Sequence, residues 1–191
     1  MNLRIPNSAN FMGLLLFGIA FVPDMLRAQP PLPPTKPPGR PPTRFPCTEA
    51  SVLINGLQGI TGTAFFKPNV GRNQGIDFKI SLNGLQRLEN HKYHVHEFAL
   101  TPGGGCKSAG KNFNPTKKPI PCPANSPQSA CAIGDLSAKG GSLKPATAGA
   151  TVGTEYLDTV LKFSDIQGRS LVIHDQGGDY IACGDIVCKQ N

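Results

Sequence analysis

No apolar run in this 191-residue chain reaches the ~20 residues that a helix needs to cross a bilayer, so no membrane span is expected. Helix patterning is weak throughout. The chain has no GxSxG elbow, no P-loop and no HExxH, which removes three large classes of hydrolase and nucleotide enzyme. None of the six cysteines forms a CxxC pair, so zinc-finger and thioredoxin-like sites have no support. The formal net charge of +7 is scattered, without a basic block interleaved with aromatics. Nucleic acid is therefore not an expected partner, and an anionic surface or a small anionic substrate fits better.

What is present begins with MNLRIPNSANFMGLLLFGIAFVPDMLRAQ. A lightly basic start, an apolar stretch over residues 11–22 and the small Ala28 mark residues 1–28 as a secretory signal peptide. The C-terminal KQN carries no anchor signal, so a secreted, extracellular protein is expected. Residues 29–46, QPPLPPTKPPGRPPTRFP, form a proline-rich linker whose only charges are Lys36, Arg40 and Arg44. Such a segment favours a semi-rigid polyproline II stalk, and its charges offer a basic ligand to a protein or an anionic surface. Residues 47–191 remain as one domain, long enough for a single core. The secretory route is oxidising and the cysteines are even in number, so disulfides are expected.

Within that domain, SVLIN, TGTAFFK, GIDFKISLNGL, YHVHEF, LKFSD, SLVIH and YIACGDIVC read as short strands between turn residues. In GIDFKISLNGL, Ile76, Phe78, Ile80 and Leu82 alternate with more polar neighbours, the period-2 pattern of a half-buried antiparallel strand. The architecture implied is all-β, a sandwich or barrel. Residues 99–132 are rich in Pro, Gly, Ser and Asn and too long for an ordinary connection, which points to function or disorder. Within them a disulfide between Cys122 and Cys131 would close a small ring. The stretch AKGGSLKPATAGATVG reads as a surface connection without chemistry.

HKYHVHEF holds three of the four histidines. On a strand, His94 and His96 share a face about 6.6 Å apart at the backbone, so both imidazoles can reach one ion. His174 ends the apolar strand SLVIH before a glycine turn. Together the three would make an all-imidazole site, suited to copper, zinc or iron and not to magnesium or calcium. Glu97 and Asp175 have no spacing that recommends them as a catalytic carboxylate pair.

HKYHVHEF, GCKSAGKNFNP, IGDL, GRSLVIHD and IACGDI occur in one order over residues 51–187, and in that order they resemble the copper-zinc superoxide dismutases. The resemblance implies an eight-stranded Greek-key β-barrel, sandwich-like in section, with an immunoglobulin-like superoxide dismutase fold. It implies His94, His96 and His174 as ligands of one copper ion, and His91 as a supporting histidine that binds no metal. It also implies the disulfide Cys106–Cys183. Cys47 and Cys188 then fall at the outer ends of neighbouring family strands and should pair, leaving Cys122 with Cys131.

Several family positions are changed. Asn112 stands where the family has the histidine that bridges copper and zinc, and Ala132 stands where a zinc histidine would precede IGD. Of the zinc set only Asp135 remains, as a vestige, so no zinc is expected. Tyr180 occupies the place of the arginine that guides superoxide, and the long electrostatic loop is reduced to DQGGDY. Lys107 and Lys111 are candidates to replace the lost charge. The resemblance thus implies a copper-only enzyme that converts superoxide to oxygen and hydrogen peroxide with reduced activity. The alternative is a catalytically inactive copper-binding or protein-interaction module built on the same barrel.

Overall fold

The computed structural model describes residues 47–71 and 74–189. The expected signal peptide, residues 1–28, and the whole proline-rich linker, residues 29–46, lie outside the described residues. The described residues form eight strands: β1 (Ala50–Gly56), β2 (Thr61–Asn69), β3 (Gly75–Asn83), β4 (Lys92–His96), β5 (Val152–Asp158), β6 (Ser170–His174), β7 (Tyr180–Asp185) and β8 (Val187–Cys188). They make one antiparallel sheet in the order β4-β6-β7-β1-β2-β3-β5, with β8 alongside β1. The path from β3 to β4, at the far edge, and back to β5 supplies the Greek-key crossings.

Alternation explains the core. Val52 and Ile54 on β1, Ala64 and Phe66 on β2, and Ile76, Phe78, Ile80 and Leu82 on β3 all point inward and are buried. Tyr93 and Val95 of β4 and Leu171 and Ile173 of β6 join the same core. The sheet curls around these side chains, as a twisted sheet must if it is to enclose one core. The two edges, β4 and β5, are not hydrogen-bonded to each other; α1 (Leu136–Gly140) packs against both. Tyr93 donates to the Gly141 carbonyl at 2.8 Å and Tyr156 to the Leu136 carbonyl at 3.1 Å, so each edge is tied to this short helix.

Two sequence expectations change here. LKFSD is not a strand: the Asp158 carboxylate accepts from the backbone N–H groups of Val160 and Leu161, and Asp165 accepts from Lys162 N. These local bonds turn the chain into the one-turn α2 (Phe163–Ile166). The missing strand is β5, VGTEYLD, whose first two residues fall in the stretch read as a bare connection. Its inward positions include Thr154 and Asp158, so it lacks the apolar alternation that marks β3.

All six cysteines are paired, as Cys47–Cys188, Cys106–Cys183 and Cys122–Cys131. The first clamps the start of β1 to β8. The second anchors the long loop to β7, and the third closes its own ring.

Candidate metal centre

Cross-strand register places the histidines. β4 and β6 pair with Lys92 opposite His174, His94 opposite Val172 and His96 opposite Ser170. With Tyr93 and Val95 committed to the core, Lys92, His94 and His96 must share the outer face, and their partners share it with them. The long loop folds over that face and buries it: His94, His96 and His174 are 5%, 0% and 6% exposed. A second small apolar cluster of Ala109, Val172 and Cys183, flanked by Leu100, Cys106 and Tyr180, adjoins the centre through Val172, the cross-strand partner of His94.

One ring nitrogen from each of the three histidines lies within 4.8 Å of the others. His96 Nε2 and His174 Nε2 face each other at 3.1 Å. Their far nitrogens are committed to carbonyls, His96 Nδ1 to Gly110 O at 2.9 Å and His174 Nδ1 to Gly178 O at 3.1 Å. A carbonyl only accepts, so each Nδ1 carries the proton and each Nε2 presents a lone pair. Burial is the main force pushing His96 down to about 4, opposed by the Gly110 bond and aided by His174 and His94. Burial likewise lowers His174. Two neutral rings therefore aim lone pairs at one point, a repulsive arrangement that a cation between them turns into an attractive one.

His94 completes the set. Both its ring nitrogens are buried without a hydrogen-bond partner, although Nε2 lies 3.3 Å from Asp135 Oδ1, off the line of a proper bond. Burial alone would raise Asp135; its contacts with His94, Ala138 N and Ser137 Oγ outweigh that and hold it below the usual carboxylate range. Two nitrogens bonded to one ion at about 2.0–2.1 Å stand at most about 4.1 Å apart, so the trio's spread, 3.1 Å at one pair and no more than 4.8 Å at any, is within about 1 Å of what one ion would require. The donor set fits copper: three imidazoles, two of them neutral and oriented by backbone carbonyls.

The loop sets those carbonyls. Gly110 has φ +76, and a Cβ there would lie 2.6 Å from the Phe98 ring, so only glycine lets the chain turn its carbonyl to His96. Gly178, at φ +91, does the same for His174. Neither residue stood out in the sequence. Tyr180 donates to the same Gly110 carbonyl at 3.1 Å, and its ring stands edge-on to His96 and His174, with centroids 5.2 and 4.8 Å away.

The other candidates fall around this trio. His91 stands apart, its Nε2 on Arg87 O at 3.1 Å and its Nδ1 buried without a partner. Asn112 pairs its backbone with His96 and lines the cavity above the centre. Asp135 caps α1 through Ala138 N at 3.0 Å and accepts Ser137 Oγ at 3.1 Å. Glu97 and Asp175 are not brought together: Glu97 contacts Lys111 N, and Asp175 accepts from Asp179 N and lies 3.6 Å from Arg87. Lys107 lines a separate cavity of about 370 Å³ with Arg87 and His91. His94 and His174 open instead into a cavity of about 570 Å³, bounded by Lys92, Asn112, Tyr180, Ser142 and residues 120–126 of the loop.

Residues 60–188 match the family model of the copper/zinc superoxide dismutases. The chain belongs to that family. Among curated superoxide dismutases, cell surface superoxide dismutase [Cu-Zn] 6 of Candida albicans is 30% identical over 129 residues. That match covers 66% of this chain and only 40% of the Candida protein, so the chain spans less than half of that relative. Superoxide dismutase [Cu-Zn] 5 of Dictyostelium discoideum is 31% identical over 121 residues, covering 63% of this chain and 74% of its own length. Among solved superoxide dismutases, the Cu(II) structure of Candida albicans superoxide dismutase 5 aligns at TM-score 0.64 and 25% identity, over 76% of this chain and 94% of that one.

Proposed function

We propose that this chain is a secreted superoxide dismutase that binds a single copper ion through His94, His96 and His174, holds no zinc, and works more slowly than a complete family site. The observation that carries the reading is the pair of opposed lone pairs, 3.1 Å apart, on two buried neutral rings with a third free imidazole beside them. Copper, when bound, supplies the one-electron couple by which one superoxide is oxidised to oxygen and another reduced to hydrogen peroxide. The chain's part is to aim the three donors and to keep Nε2 of His96 and His174 unprotonated. Burial and the Gly110 and Gly178 carbonyls do this for His96 and His174, and the Asp135 carboxylate steers His94. Asp135 is already engaged by Ala138 N and Ser137 Oγ, and among the described residues the histidine beside it, His94, belongs to the copper trio.

The reduced rate follows from two residues. Asn112 has no ring nitrogen to relay a proton, so protons reach the centre from solvent through the open cavity. Tyr180 donates a hydrogen bond where the family places a guanidinium, but it brings no positive charge. These same two changes favour the second reading, a copper-binding or interaction module without catalysis. The rate of superoxide decay per bound copper, measured by pulse radiolysis, decides between them. A copper-dependent rate that vanishes in His174→Ala supports the enzyme. A rate no better than that variant's supports the module.

A further inference from the structure

Given that copper reading, on which the inference rests, the structure assigns Lys92 as the charge that draws an anion to the three histidines in place of the missing guanidinium. Lys92 is two residues before His94 and four before His96 on β4, and it is the cross-strand partner of His174. Strand parity therefore gives it the same face as all three candidate ligands. It is exposed, makes no ion pair among the described residues, and is the sole cationic side chain lining the 570 Å³ cavity into which His94 and His174 open.

Asp135 also lines this cavity, but no nearby carboxylate pairs with Lys92. Asp135 faces His94, Ala138 N and Ser137 Oγ, and Asp175 faces Arg87 and Asp179 N. Lys107, the obvious sequence candidate, faces the other cavity, and Lys111 does not line this one. As a general scale, a unit charge about 7 Å from a univalent anion in a medium of dielectric about 80 changes its affinity about threefold. Its influence fades as salt shortens the screening length.

The test uses azide, a univalent anion, titrated into the Cu(II)-loaded full chain and followed by its charge-transfer absorption. Lys92→Gln should weaken azide binding about threefold and flatten its dependence on ionic strength, with copper stoichiometry unchanged. Lys92→Glu should weaken it further and reverse the salt dependence, and Lys107→Gln should match the wild type. The inference is overturned if both Lys92 variants bind azide as the wild type does, or if Lys107→Gln shows the larger loss. A wild-type chain that takes up no copper overturns this inference together with the copper reading. Normal copper uptake with unchanged azide affinity overturns this inference alone.

Discussion

Replacing Lys139 with Met should destabilise the barrel by about 3 kcal/mol, because it breaks a buried ion pair from one side. Lys139 Nζ lies 2.6 Å from Asp158 Oδ2, and neither side chain is exposed to solvent at all. The ammonium also donates to Ile133 O at 2.7 Å. Burial pulls its pKa below the usual lysine range, and Asp158 opposes that shift. Removing one partner of such a pair costs about 3–5 kcal/mol. The lower end is expected because Asp158 keeps the N–H groups of Val160 and Leu161 on its other oxygen, and the Tyr156 hydroxyl 3.4 Å away. With a urea dependence of about 2 kcal/mol per molar, the midpoint should fall by about 1.5 M in the disulfide-intact protein. Lys139→Met combined with Asp158→Asn should recover part of the loss, since the amide oxygen still accepts from the two N–H groups without a stranded charge. A single variant within about 1 kcal/mol of wild type, or a double variant no more stable than the single, would refute this account of how α1 joins the two sheet edges.

Other tests address the centre. In the metal-free protein, a folded His96 near 4 against about 6.5 unfolded means that the unfolded chain binds the extra proton between those values. Its contribution is thus intact above pH 6.5 and drains away as pH falls towards 4, by at most about 3 kcal/mol, with His174 acting in the same direction. Urea midpoints measured from pH 7.5 to 4.5 should fall steadily, and a flat profile between pH 6.5 and 5 would contradict it. Replacing Cys106 and Cys183 together by Ser removes a link across 77 residues, worth about 4.5 kcal/mol by loop entropy. It also frees the segment that carries Gly110, so copper affinity should drop along with thermal stability. An unchanged copper affinity in a chelator competition would show that the Gly110 carbonyl does not orient His96.

Some of this architecture was legible in the residues alone. Ile76, Phe78, Ile80 and Leu82 declared their strand by alternation, and they are buried at 0–2%. The same period puts His94 and His96 on one face. It also puts Lys92 there, a signal that was available and went unread because a lysine on a strand carries no motif. β5 was illegible for the opposite reason: its inward residues are partly polar and are satisfied by partners far away in sequence, such as Lys139 for Asp158.

The sequence by itself determined the strand periodicity, the candidate ligand types and the ordered motifs, because side-chain parity and residue chemistry are local properties. Only the tertiary structure decided that His174 faces His96 at 3.1 Å, since that depends on the β4–β6 register. It also decided that Lys92 and not Lys107 shares the cavity with the histidines, because the fold of the long loop sets which cation lies on which side of Tyr180. Those relations join residues up to about 80 positions apart, and no local pattern encodes a distance across a fold.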